Sequence, residues 1–127
     1  MNNTGTNNTN RMDATVVVDV FTHDGRCCVV VRRDLAFVKT FHNGYVSVLL
    51  ANSGTSYDEY VDQITIDELT FAGELDWLND ERIPPKTWFV GFDSCHYRND
   101  ENPASKTFEP VRERTIRLAN EMAEKHI

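Results

Sequence analysis

The sequence has 127 residues, a formal net charge of −7, 40% hydrophobic residues and 26% charged residues. This length allows one domain with a single core, and the composition is typical of a globular protein in water. No apolar run approaches the roughly 20 residues that span a bilayer, and the acidic balance disfavours a protein that binds nucleic acid directly, so we expect neither a membrane segment nor a nucleic-acid partner.

The N-terminal part predicts a tail followed by a β-hairpin. Residues 1–12 are mostly Asn, Thr and Gly with little to bury, which indicates a disordered tail ahead of a single domain at 13–127. Two stretches rich in β-branched residues follow at 15–21 and 26–32. The Asp-Gly pair between them is typical of a tight hairpin turn.

Three further strands and one helix complete the predicted fold. The strands are expected at 44–50, 61–66 and 87–92. In the C-terminal segment FEPVRERTIRLANEMAEKH the apolar residues change to helical spacing. We therefore expect an α+β fold: an antiparallel or mixed sheet of about five strands packed against one long C-terminal helix. The apolar stripe of that helix is Val111, Thr115, Leu118 and Met122, widened by Ile116, Ala119 and Ala123.

An acidic stretch occupies the middle of the chain. Between Asn43 and Glu81 there is no Lys, Arg or His, but there are nine acidic residues: Asp58, Glu59, Asp62, Asp67, Glu68, Glu74, Asp76, Asp80 and Glu81. These carboxylates are either a solvated loop surface, a surface that binds a basic partner in place of phosphates, or a divalent-metal site. The metal site is the weakest alternative because no calcium-loop pattern is present. Trp77, among the acids, is either a core anchor or an interface residue.

The stretch WFVGFDSCHYRND places reactive side chains at the end of a predicted buried strand. Asp93 and His96 could converge at a turn as an acid/base pair or as two metal ligands, although a zinc centre usually needs three or four. Cys95 and His96 are neighbours that face opposite ways on a strand, which disfavours a catalytic dyad. The structural alternative, which we favour, is that Asp93 caps a turn, Cys95 is a small buried residue and His96 packs at the sheet edge.

The cysteines and the remaining motifs give little support to an enzyme. The three cysteines, Cys27, Cys28 and Cys95, are too few for a disulfide framework and fit a reducing compartment. Cys27 and Cys28 are adjacent on a strand and should face opposite sides of the sheet. The sequence contains no glycine-rich phosphate loop, no Ser-His-Asp arrangement and no CxxC pair, so no cofactor is expected.

Several segments in a fixed order resemble a family of small proteins common in bacteriophage genomes. They are NGYVSVLL, SYDEY, LTFAG, WFVGFD with Cys95 and His96, and the helix that begins near FEPVRE, and together they cover Asn43 to about Met122. The resemblance implies a virus-encoded accessory protein that acts in the host cytoplasm.

The sequence departs from the family pattern at two points. Where the family has His-Gly-Gly-Leu-Thr, this chain has Ile66-Asp67-Glu68-Leu69-Thr70. Where the family has Gly-Phe-Asp-Cys-Ala-His, this chain keeps Gly91, Phe92, Asp93 and His96 around Ser94 and Cys95. The first departure removes a histidine and adds two acids, which favours an acidified binding scaffold over a retained enzyme.

Three functions are consistent with these features. The first is a stoichiometric inhibitor of a host defence effector, similar to an anti-CRISPR protein, whose acidic surface mimics nucleic-acid phosphates. The alternative is a nucleotide-signal sponge or small hydrolase that uses Asp93 and His96 beside Tyr45 or Trp88. The third is a structural virion component, for which an edge strand could support a homodimer.

Overall fold

The computed structural model of the chain describes residues 14–35, 40–66, 68–95 and 103–127. The strands and the α-helix are β1 (Ala14–His23), β2 (Arg26–Asp34), β3 (Thr40–Ser47), β4 (Phe71–Glu74), β5 (Trp88–Asp93) and α1 (Phe108–Glu124). All neighbouring strands pair antiparallel in one sheet of order β1-β2-β3-β5-β4. This confirms the predicted α+β class. The predicted tail at 1–12 lies outside the described residues.

The β1–β2 hairpin has the turn that its sequence demands. Asp24 and Gly25 both have positive φ, 53° and 75°, as a two-residue turn of this kind requires. The pairing register shifts between Val17 and Asp19, which is a β-bulge in the edge strand β1. On the helix side of the sheet, the Asp19 carboxylate accepts a hydrogen bond from Nε of Arg112 at 2.8 Å, so the bulged strand is tied to α1.

Helix α1 covers one face of the sheet and forms the helix-side core. Its buried residues are Val111, Thr115, Leu118, Ala119 and Met122, which confirms the predicted stripe except for Ile116 and Ala123, which are half-buried. They pack with residues from β2, β3 and β5 and from the segment before β4, namely Cys28, Val30, Val46, Tyr60, Ile64, Leu69, Val90 and Phe92. Alternate residues of the central strands point towards α1, and these residues are the apolar ones that form the helix-side core.

The other face of the sheet has its own core, formed by the connection between β4 and β5. Leu75 and Ile83 from this connection are buried against Val29, Val31, Tyr45 and Phe89. Cys28 lies in the helix-side core while Cys27 packs against the second core, which confirms their predicted separation on opposite faces. The fold thus has a third, irregular layer at 75–87 that the sequence did not predict.

The strand predicted at 61–66 is wrong, and the one predicted at 44–50 is displaced to Thr40–Ser47. The backbone N–H groups of Thr65 and Ile66 donate to the Glu121 carboxylate rather than to a neighbouring strand. The strand that completes the sheet is β4, a short edge strand of four residues. The strand predicted at 87–92 is confirmed with a shift of one residue.

Two glycines allow the layers to approach closely. A Cβ on Gly91 would lie 2.3 Å from Cδ1 of Tyr45 and 2.7 Å from the carbonyl oxygen of Gly44, because the tyrosine ring lies across this position. A Cβ on Gly44 would lie 2.1 Å from Oγ1 of Thr115, where α1 meets the sheet. The absence of a side chain at both positions is therefore a requirement of the packing.

Within the described ranges, no helix combines the length and the apolar character needed to cross a bilayer.

Candidate functional site

The acidic stretch does not form one patch but two groups on opposite layers of the fold. The helix-side acidic group, which lies in the segment that packs beside α1, is Asp58, Glu59, Asp62 and Glu68. The loop-side acidic group, in the connection that covers the opposite face, is Asp76, Asp80 and Glu81, and it is preceded by Glu74 at the end of β4. Edge strand β4 lies between the two groups in sequence. Asp67 lies outside the described residues.

Two acids of the loop-side acidic group, Asp76 and Asp80, make hydrogen bonds that stabilise the β4–β5 connection. Asp80 is paired with Arg82, with 2.7 Å between Oδ2 and Nη2, and it also accepts the Arg82 backbone N–H. These hydrogen bonds from Arg82 lower the pKa of Asp80 to about 2. Asp76 accepts the backbone N–H of Lys86, a residue with a positive φ of 54°. Asp76 and Asp80 therefore hold the β4–β5 connection in shape, which supports a structural interpretation for these two acids.

Trp77 is exposed rather than buried in the core. Its side chain is 52% exposed, and its indole N–H donates to the carbonyl oxygen of Glu74 at 3.1 Å. Beside it, Leu75, Ile83 and Pro85 contribute apolar lining to an open groove of about 510 Å³ that Asp76, Asp80 and Glu81 also line. This position excludes Trp77 as a core anchor and leaves it available for contact with a partner.

The helix-side acidic group is exposed but sits on an ordered segment. Asp58 accepts a hydrogen bond from the Ser56 hydroxyl, which lowers the pKa of Asp58. Glu59 and Asp62 are exposed. The segment is held at several points: the Leu49 N–H donates to the carbonyl oxygen of Ile127 at 2.6 Å, and the Trp88 indole N–H donates to the carbonyl oxygen of Thr55 at 2.9 Å. Its negative charges are thus presented at defined positions.

Glu121 is the main polar contact between α1 and this segment. Its carboxylate accepts the N–H groups of Thr65 and Ile66 and the Thr65 hydroxyl at 2.8–3.0 Å, and Lys125 lies beside it. Burial alone would raise the pKa of Glu121. The hydrogen bonds from Ile66 and Thr65 outweigh that effect, so its pKa lies below the ordinary value. This role could not be predicted from the sequence, in which Glu121 is one of several charged residues on the polar face of a helix.

Replacement of Glu121 by alanine should lower the free energy of unfolding by about 1–2 kcal/mol, because two backbone N–H groups lose a charged acceptor. Because the folded-state pKa is depressed, the contribution of Glu121 is complete above about pH 4.3, the ordinary glutamate pKa, and is lost as pH falls through the lower folded value. Urea unfolding between pH 2 and pH 7 measures both effects. Glu124→Ala, at an exposed position of the same helix, is the matched control. Equal losses for the two variants at neutral pH would contradict the assigned role.

The strand end WFVGFDSC is mainly structural in its described part. Ser94 is fully buried, and its hydroxyl donates to the carbonyl oxygen of His42 at 2.6 Å, which closes the β3–β5 pairing. Cys95 is exposed, so the prediction of a buried cysteine is wrong. Asp93 is half-buried and pairs with Asn43 across the β3–β5 ladder. Burial is the main cause that raises the pKa of Tyr45, and the charge of Asp93 adds to it. His96 lies outside the described residues, so the Asp93–His96 pair stays a prediction.

The turn cap expected at Asp93 stays a prediction, because residues 96–102, which follow it, lie outside the described residues; the buried polar contact at the strand end is made by Ser94. Nearby on the same side of the sheet, Nε of Arg33 and Oδ1 of Asn43 are buried without a hydrogen-bond partner. Nδ2 of Asn43 donates to the Tyr45 hydroxyl at 3.3 Å, so this amide belongs to the buried contacts of Tyr45 rather than to an open site. Sequence reasoning missed both residues because each lies in an otherwise ordinary strand pattern.

No group of three or more His, Cys, Asp or Glu side chains with metal-binding geometry occurs among residues 14–35, 40–66, 68–95 and 103–127. No protein-family model, curated protein or solved structure matches the chain.

Proposed function

We propose that the protein is a binding protein whose acidic surface occupies the nucleic-acid-binding site of a basic partner. The observation that carries this proposal is the basic-free stretch 44–81, in which Asp58, Glu59, Asp62, Glu68, Glu74, Asp76 and Glu81 are exposed on described segments. Fixed charges bind with a smaller loss of conformational entropy than charges on a disordered chain. They can also occupy a basic surface where phosphates would otherwise bind.

The resemblance to small bacteriophage proteins supports a more specific partner. We propose that the partner is a host defence effector, such as a CRISPR nuclease complex, and that the protein acts in the host cytoplasm. Such effectors hold nucleic acid in positively charged channels, which an acidic protein can occupy. Inhibition by occupancy needs a stable complex but no catalytic group, and this agrees with the structural role of Ser94 at the strand end.

Charge reversal in two separate parts of the acidic stretch tests the proposal. The variants are Glu59→Lys with Asp62→Lys in the helix-side acidic group, and Glu74→Lys at the end of β4 with Glu81→Lys in the loop-side acidic group. We expect at least one pair to weaken inhibition in a plasmid-interference assay more than tenfold, because each reversal turns attraction to a basic channel into repulsion. The matched control is Glu109→Lys with Glu113→Lys, two exposed acids of α1 that give the same change in net charge.

Competition and salt dependence provide the second measurement. Binding to the purified effector should weaken steeply as salt is raised and should be competed by the effector's own nucleic acid. If both reversal pairs behaved like the α1 control, the phosphate-mimicry mechanism would be wrong. Recovery of a chemically altered nucleotide after incubation with the protein would favour the hydrolase alternative instead.

A further inference from the structure

The segment that carries the helix-side acidic group also exposes large apolar side chains. Six large apolar residues are exposed among those that the structure describes, and four of them lie between positions 49 and 61. Leu50 is 90% exposed, and the others are Leu49, Tyr57 and Val61. Scattered single apolar residues on a surface are ordinary, but a cluster on one short segment marks an interaction surface.

The fold holds these apolar residues at fixed positions without burying them. They lie on or beside two 3₁₀ turns, Leu50–Asn52 and Tyr57–Tyr60, which are joined by a hydrogen bond of 3.0 Å from the Tyr60 hydroxyl to Oδ1 of Asn52. Asn52 also donates to the carbonyl oxygen of Ile127 at 3.1 Å. Tyr60 is buried in the helix-side core, so its exposed neighbours project from an anchored base.

Charge decides what can cover this surface. Asp58, Glu59 and Asp62 are exposed on the same segment. Lys125 reaches the segment, but its ammonium is bound by the carbonyl oxygen of Gln63 and by Glu121. A second copy of this chain in a twofold arrangement would set these acids against their equivalents, and an anionic membrane would be repelled. A surface that combines apolar and basic side chains is complementary on both counts.

We infer that the Leu49–Val61 surface, defined by Leu49, Leu50, Tyr57 and Val61, docks a basic amphipathic segment of a protein partner. The inference rests on the proposed function and specifies it. The apolar residues supply the buried centre of the contact, and the helix-side acidic group supplies its polar rim. Charged rims affect mainly the association rate and its salt dependence, whereas a desolvated apolar centre slows dissociation.

The test uses a synthetic helical peptide of Leu and Lys that has one apolar and one cationic face. Titration of the isotope-labelled protein should shift NMR signals of residues 49–62. The double variant Leu50→Ser with Val61→Ser should weaken peptide binding at least tenfold, whereas Val16→Ser, at an exposed apolar residue of edge strand β1, should leave it within twofold. Because Leu50 and Val61 are exposed, the variants should fold normally, which far-UV circular dichroism and the melting temperature verify.

The controls separate this inference from the proposed function. Polylysine lacks an apolar face, so it should bind weakly and lose binding on charge reversal alone. If the Leu/Lys peptide bound the Leu50/Val61 variant as tightly as the wild type but lost binding on reversal of Glu74 and Glu81, the docking surface would be overturned while the acidic-binding function stood. Binding to anionic vesicles, self-association through residues 49–61, or no peptide binding would also overturn the docking surface. A protein that binds the Leu/Lys peptide through Leu50 and Val61 but does not inhibit the effector would contradict the proposed function and support the docking surface.

Discussion

Replacement of Gly91 by alanine is expected to destabilise the protein by about 3 kcal/mol or more, or to prevent folding, because overpacking at rigid sites has costs of this order. The added methyl would lie 2.3 Å from the Tyr45 ring and 2.7 Å from the carbonyl oxygen of Gly44. The ring could move only by leaving the second core, in which it makes an edge contact with Phe71 at 5.2 Å between centroids. The carbonyl belongs to the central β3–β5 pairing and cannot move without breaking the sheet.

Gly73→Ala is the matched control in the same sheet. Its new methyl would have Phe71 as the nearest neighbour at 3.1 Å, and this half-buried ring can shift by a few tenths of an ångström. We expect a loss below about 1 kcal/mol for this variant. Urea unfolding measures both variants, and recovery from inclusion bodies reports on Gly91→Ala if it does not fold. A Gly91→Ala protein with wild-type stability would show that the Tyr45–Gly91 contact is not tight.

Replacement of Leu75 by alanine should lower the free energy of unfolding by about 3 kcal/mol, within the range for buried leucines. Leu75 is 1% exposed and belongs to the core that joins the β4–β5 connection to the sheet. Loss of its side chain leaves a cavity that the ordered connection cannot fill, because Asp76 and Asp80 fix the backbone around it.

The control for Leu75 is its near neighbour Trp77. Trp77→Ala removes a larger side chain from the same connection, but one that is mostly exposed, so the loss should stay below about 1 kcal/mol. Thermal and urea unfolding followed by circular dichroism compare the two variants. Similar losses would mean that residues 75–87 do not act as a packed third layer.

The elements predicted from sequence are those with a clear period or turn. The β1–β2 hairpin follows from β-branched runs around Asp24-Gly25, and α1 follows from apolar residues at helical spacing. Strand β4 was missed because four residues that include Gly73 carry no alternation, while 61–66 alternates without being a strand. In residues 61–66, the backbone N–H of Ile66 donates to Glu121 instead of to a neighbouring strand. Glu121 lies 55 residues away in sequence, and a partner at that distance cannot be predicted from a local pattern.

The candidate site was predicted only in part for a related reason. The acidity of the stretch is a property of composition, and the exposure of most of its carboxylates follows from that. Its division between two layers depends on where the chain crosses the edge of the sheet, which local sequence does not specify. The buried role of Leu75 and the exposure of Leu50 were equally hidden, since Leu75 lies between two acids and Leu50 ends an apolar run that predicted a strand.

The bulge in β1 has a consequence for the behaviour of the protein at high concentration. An open edge strand of ten residues is a template for intermolecular pairing and for aggregation. The register shift between Val17 and Asp19 interrupts that edge, and the Asp19 carboxylate beside the bulge is bound to Arg112 of α1. The bulge therefore disfavours the pairing of β1 with a strand of another molecule. We expect deletion of Val18, which would remove the bulge, to increase aggregation.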